Sequence, residues 1–172
     1  MTTAAMTLYT WWRSQASFRV RIALNLKGLK AEMVFIDLSK NDQFAAPYRS
    51  INPEMVLPAL IDGQGLPLRQ SLAILEYLEE QYPEHPLLPT AAHARAHARA
   101  LAQVVAIDAH PYVVPRARKY LQQELGLDDE TWMAWCGIGW SRGPAQSKTC
   151  SQMIREQVGF AAAMRPPLPI SV

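Results

Sequence analysis

The spacing of apolar residues changes several times along the chain, and each change marks an element. MTLYTWW (6–12) is a compact run of β-branched and aromatic residues and predicts a short strand. In RSQASFRVRIALNLKGL (13–29) the spacing becomes helical. Val20, Ile22, Ala23, Leu24 and Leu26 form the predicted buried face, Ser14 or Ser17 caps the start, and Gly28 stops the helix at the C′ position. AEMVFIDL (31–38) predicts a second strand, alternating and then continuous. SKNDQFAAPYRSINPEM is a polar connector with room for one helical turn. LPALID, the turn DGQG and LPL read as a hairpin. Arg69-Gln70-Ser71 then opens a helix, LAILEYLEEQY, which ends before Pro83.

The order is β-α-β, connector, β-β-α. Two strands flanking a helix demand a parallel crossover, whereas the hairpin is antiparallel. A four-stranded mixed sheet with helices on its faces satisfies both, which is the thioredoxin-like α/β arrangement. Beyond Pro83 the pattern turns entirely helical. AHARAHARALAQVVAIDAHPYVVPRARKYLQQELG predicts a long helix, a break at His110-Pro111 and a second helical stretch. The predicted organisation is a thioredoxin-like domain over 1–83, a linker over 84–89, the start of an all-α domain over 90–136, and a tail over 137–172 without period.

Composition excludes several classes. The 172 residues carry 17 Lys and Arg against 15 Asp and Glu, a balance that does not call for nucleic acid. No stretch reaches the roughly 18 apolar residues of a membrane span, and the start lacks a basic region followed by an apolar core. Cys136 and Cys150 form no metal or CxxC spacing, so the expectation is a reduced, cytoplasmic chain. His93 and His97 stand four apart, but HARAHARA reads as a solvated helix face, and no metal is predicted.

Two features remain. Arg19 and Arg21 interrupt the apolar stripe of the first helix; they either raise the potential near a site or pair with carboxylates on the sheet or at a domain interface, and the structural role is the favoured one. Pro58, ahead of a strand-like run, is by base rate a trans residue at a strand start. A cis Leu57-Pro58 bond would instead leave the Leu57 backbone free to pair with an extended peptide.

Taken together, RSQASFRVRIALNLKGL, NPEMVLPALID and LRQSLAILEYLEE resemble glutathione transferases. VRIAL after a serine-bearing turn resembles the zeta class, which includes maleylacetoacetate isomerase. The resemblance covers roughly residues 6–135. It implies glutathione as cofactor, with Ser14 donating to the sulfur at a helix N-terminus, where free N–H groups and the dipole favour an anion. The motif's second serine is here Gln15, whose amide still donates, and its frequent cysteine is Ala16, which cannot react covalently. The resemblance places the γ-glutamyl carboxylate at Gln70 and Ser71. It places the cysteinyl unit on the Leu57 backbone beside a cis Pro58, and the glycyl end near Lys40 or Gln43. Asp108, His110 and Arg116 are candidates for the substrate wall. Ser-Gln-Ala-Ser at 14–17 excludes a dithiol redox cycle.

The implied reaction is glutathione-dependent cis-trans isomerisation of maleylacetoacetate-type substrates, in tyrosine and phenylalanine breakdown. The implied partners are a small-molecule electrophile and a second copy of the chain, with no nucleic acid and no membrane. The alternatives are general conjugation of electrophiles, and a non-catalytic or truncated, inactive protein of the same fold. The resemblance stops where the pattern does. Reading each codon's third base with the next two, CGIG can spell RHW, and EQVGFAAAMRPPLPISV can spell TGRVCCGDAPTIADIC, which matches the family's later motif. A frameshift near Trp135-Cys136 is therefore expected, with 137–172 out of frame.

Overall fold

The computed structural model describes residues 6–138. The expected tail lies outside them except for Gly137 and Ile138, as does Cys150. The chain divides into two compact units, Met1–Arg99 and Ala100–Val172.

In the first unit, β1 (Met6–Thr10) pairs in parallel with β2 (Ala31–Phe35) and antiparallel with β3 (Ala59–Ile61), and β3 pairs antiparallel with β4 (Leu68–Arg69). The sheet order is β2-β1-β3-β4, the mixed four-stranded sheet that the element order requires. Met6 and Leu8 of β1 enter a core with Val20, Ala23, Leu24, Leu60, Ile74 and Leu78. This core joins the sheet to α1 (Gln15–Leu26) and α3 (Ser71–Gln81). A smaller cluster of Tyr48, Leu57 and Ala59 is packed by Tyr9, Trp11 and Ile36. It ties the sheet to α2 (Ala46–Ile51), the helical turn in the polar connector.

Ser14 caps α1, its hydroxyl oxygen accepting the Ser17 N–H at 3.2 Å. At the other end Gly28, at φ 67°, closes a Schellman motif. The Leu29 N–H reaches the Leu24 carbonyl at 2.9 Å, and the Gly28 N–H reaches that of Asn25 at 3.1 Å. The buried stripe of α1 differs from the expected one. Ala16, Ser17, Val20, Ala23 and Leu24 are buried, while Ile22 and Leu26 are exposed. With Phe18 they form the i, i+4, i+8 row on the other side of the helix. Lys27 is buried instead.

In the second unit and the segment leading to it, α4 (Ala92–Gln103) passes into a π-helical stretch (Val104–Ala109) and a 3₁₀ turn (His110–Val113). The break falls at Val114, not at His110-Pro111. Pro111 lies in the first turn of the 3₁₀ segment, where a missing N–H costs nothing. Val114 precedes Pro115 and is extended, at φ −71°, ψ 145°. Then follow α5 (Pro115–Lys119), a π-helical turn (Tyr120–Glu124) and α6 (Asp129–Ile138). Trp132 is buried, and the Trp135 indole N–H donates to the Tyr112 carbonyl at 3.1 Å.

Candidate functional site

The first turn of α1 holds Ser14 and Gln15. Because the Ser14 oxygen accepts the Ser17 amide, its own proton is free to donate outward. Gln15 is exposed on the same turn. No acidic side chain stands in the first turn of α1 or of α3, so the chain itself supplies no anion to either N-terminus. Ala16 is buried and takes no part.

Ser71 is the first residue of α3 and is buried. Its hydroxyl oxygen accepts two hydrogen bonds from one guanidinium, Arg19 Nε at 3.2 Å and Nη2 at 3.1 Å. Both lone-pair positions are thus occupied, and the Ser71 proton is directed to a further acceptor. This corrects the favoured expectation for Arg19, a pairing with carboxylates, and agrees with the other, a positive charge near the candidate site. Among the described residues it has no carboxylate within ion-pair distance. It adds a partly buried positive charge to a helix N-terminus, and burial lowers its pKa from the usual arginine value. Arg21 has no carboxylate partner among the described residues either. Its Nη2 donates to the Trp12 carbonyl at 3.3 Å, which steadies the turn before Ser14.

The Leu57-Pro58 bond is cis. Among the described residues, no hydrogen bond reaches the Leu57 N–H or carbonyl. The residue before it is clamped: the Val56 carbonyl accepts from Tyr48 Oη at 2.6 Å and from Asn52 Nδ2 at 2.7 Å. Burial pushes the Tyr48 hydroxyl up to about 12, so it stays a donor. Asn52 is fully buried, and neither it nor Tyr48 stands among the expected site residues. The signal for Asn52 was present in its place before Pro53 in NPEM, six residues ahead of Pro58.

Gln43 is buried with its side-chain oxygen unpartnered among the described residues. Lys40 is exposed and loosely paired with Asp37 at 3.8 Å. Gln70, the residue before α3, stands at φ 66° and donates its side-chain N–H to Glu54 at 2.9 Å. Asp108 and Arg116 are exposed and His110 is partly buried in the second unit. The first unit therefore carries a hydroxyl donor at Ser14, a backbone edge at Leu57 without hydrogen bonds among the described residues, and a cationic, hydroxyl-bearing helix start at Ser71. That set fits an anionic peptide with a carboxylate at one end and a thiol in the middle. Among the described residues no group of three metal-ligating side chains occurs, and no helix is long and apolar enough to cross a membrane.

Residues 4–80 match the family model of the glutathione S-transferase N-terminal domain. A maleylpyruvate isomerase of Ralstonia sp is 44% identical over 138 residues, 80% of this chain and 65% of that protein. The chain thus spans less than two thirds of that relative's length. The maleylacetoacetate isomerase of Pseudomonas aeruginosa is 38% identical over 165 residues, covering 95% of this chain and 76% of the other. The crystal structure of maleylacetoacetate isomerase from Methylobacterium extorquens AM1, solved with malonate and GSH bound, superposes with a TM-score of 0.76 at 46% identity. It covers 89% of this chain and 68% of that one.

Proposed function

The chain belongs to the glutathione transferase family, on its zeta-class branch, and from that premise we propose that it is a glutathione-dependent cis-trans isomerase of maleyl-type dicarboxylates. The observation that carries this reading is the serine hydroxyl of Ser14, its oxygen engaged by the Ser17 amide and its proton left for a ligand, at a helix start without acidic residues.

Glutathione, when bound, supplies a thiol whose ionised form adds reversibly to a conjugated cis double bond and leaves after rotation. The chain's own residues prepare for it. Ser14 donates its proton toward the sulfur, and the α1 N-terminus lowers the cost of negative charge there; a free thiol titrates near about 8.5. The Leu57 N–H and carbonyl offer a strand-like pair to the peptide backbone. Ser71, held by Arg19, and the free N–H groups of α3 receive a carboxylate. Lys40, through its exposed ammonium, and Gln43, through its side-chain N–H groups, are the candidates for the glycyl carboxylate, which needs donors. Gln15 supports Ser14 through its amide. Asp108, His110 and Arg116 are the candidates for the electrophile's side of the site. The same reading implies a cytoplasmic homodimer acting in aromatic amino acid breakdown.

The test is turnover of a maleyl substrate with glutathione held far below stoichiometry. Many product molecules per glutathione, with the thiol recovered, is the expected result. Glutathione consumed one for one would replace isomerisation by conjugation, and no turnover with intact glutathione binding would leave a binding protein.

A further inference from the structure

Glu54 is held against the two residues that precede Ser71, and the reading above does not use it. Its Oε2 accepts the Gln70 side-chain N–H at 2.9 Å, and its Oε1 stands 3.5 Å from Arg69 Nη1. The loop that carries it is anchored, since the Glu54 N–H donates to the fully buried Asn52 side chain at 3.0 Å. Gln70, at φ 66° and ψ 115°, occupies backbone space that residues with a Cβ rarely adopt. Its side chain does not cap α3, because it is turned to Glu54. With its nitrogen committed there, the Gln70 amide oxygen is left as an acceptor.

We propose that Glu54 is the positioning and specificity residue for an α-ammonium group, acting through Gln70. An α-amino acid end carries a carboxylate and an ammonium on one carbon. Arg19, Ser71 and the α3 N-terminus suit the carboxylate and repel the ammonium. The ammonium then needs an acceptor within a bond or two of Ser71. Gln70 is the adjacent residue, and Glu54 is the carboxylate hydrogen-bonded to it. The Arg69 contact is long and half exposed, so it steadies the carboxylate more than it cancels its charge. Glu54 therefore orients the Gln70 acceptor and adds negative potential behind it, selecting ligands that keep a free amino group at the γ-glutamyl end. This inference rests on reading Ser71 as the γ-glutamyl anchor.

The experiment is calorimetric titration of the full chain, as wild type, Glu54→Gln and Glu54→Ala. The two ligands are glutathione and the analogue whose γ-glutamyl amino group is replaced by hydrogen. Glu54→Ala is expected to weaken glutathione by about tenfold, the scale of a hydrogen bond to a charged group. Glu54→Gln, which keeps an acceptor for Gln70 without the charge, should fall between. Neither variant should weaken the analogue. Equal losses for both ligands would mean a merely structural role and overturn the inference, as would no loss for either. If wild type binds glutathione and Glu54→Ala binds it equally well, this inference alone fails. If wild type binds neither ligand, the γ-glutamyl reading fails and takes this one with it.

Discussion

Two donors of the Arg19 guanidinium end on one oxygen, that of Ser71, 52 residues away in sequence. An arginine with no acid beside it among the described residues, set against a helix N-terminus, favours the arrival of an anion. Arg19→Met, which keeps much of the packing of the side chain, should raise the glutathione Kd by about tenfold or more. Maximal turnover at saturating glutathione should stay nearly unchanged, because the sulfur is handled elsewhere. A fall in turnover with an unchanged Kd would remove Arg19 from this role. The sequence could show Ser14 and Ser71 as helix starts, because capping is local. It could not show that Arg19 reaches Ser71, because that contact is made by the packing of α1 on α3. The same packing chose which stripe of α1 is buried. Ile22 and Leu26 are apolar, and only the sheet's position shows that they face away from it.

Among the elements, α1 and α3 are also joined at their far ends. The Lys27 ammonium pairs with Glu79 at 2.8 Å, with side chains 1% and 9% exposed, and donates to the carbonyls of Tyr82 and His85. Glu79 in turn accepts the N–H groups of Leu87 and Leu88, so one ion pair pins the segment leaving α3. Burial pushes the Glu79 carboxyl up, but Lys27 and the two amides outweigh it and hold the pKa below the usual 4.5. A depressed carboxyl contributes stability above its unfolded value and loses it as pH falls through the folded one. Unfolding midpoints should therefore decline as pH drops below about 4.5, and the decline should be shallower in Glu79→Gln. Lys27→Met should cost about 3–5 kcal/mol by leaving a buried carboxylate unpaired. Equal pH slopes in wild type and Glu79→Gln would show that the pair is not what titrates. A lysine at the C-cap of a helix reads from sequence as a solvated C-terminal charge, which is why this staple was not legible. Strand order and direction were legible, because a crossover and a hairpin leave little choice.

At the scale of the molecule, the first unit carries the three features proposed to hold the ligand, from separate segments, on one thioredoxin-like frame: Ser14, Leu57 with its cis proline, and Ser71 with Arg19. Their order along the chain carried the family resemblance. Their chemistry explains why one tripeptide would need all three. The second unit contributes candidates, not a described site, and what it selects is decided by substrate turnover. The central claim is that Ser14 stabilises a thiolate, and the most direct measurement is the ultraviolet thiolate absorbance of bound glutathione as a function of pH. It should be made in wild type and in Ser14→Gly, since glycine at an N-cap costs the helix only a few tenths of a kcal/mol. Bound glutathione should ionise well below the free thiol's range of about 8.5, and Ser14→Gly should move the midpoint back toward that value while still binding the peptide. Identical titrations in the two proteins, or a bound thiol that ionises no earlier than the free one, would contradict the claim.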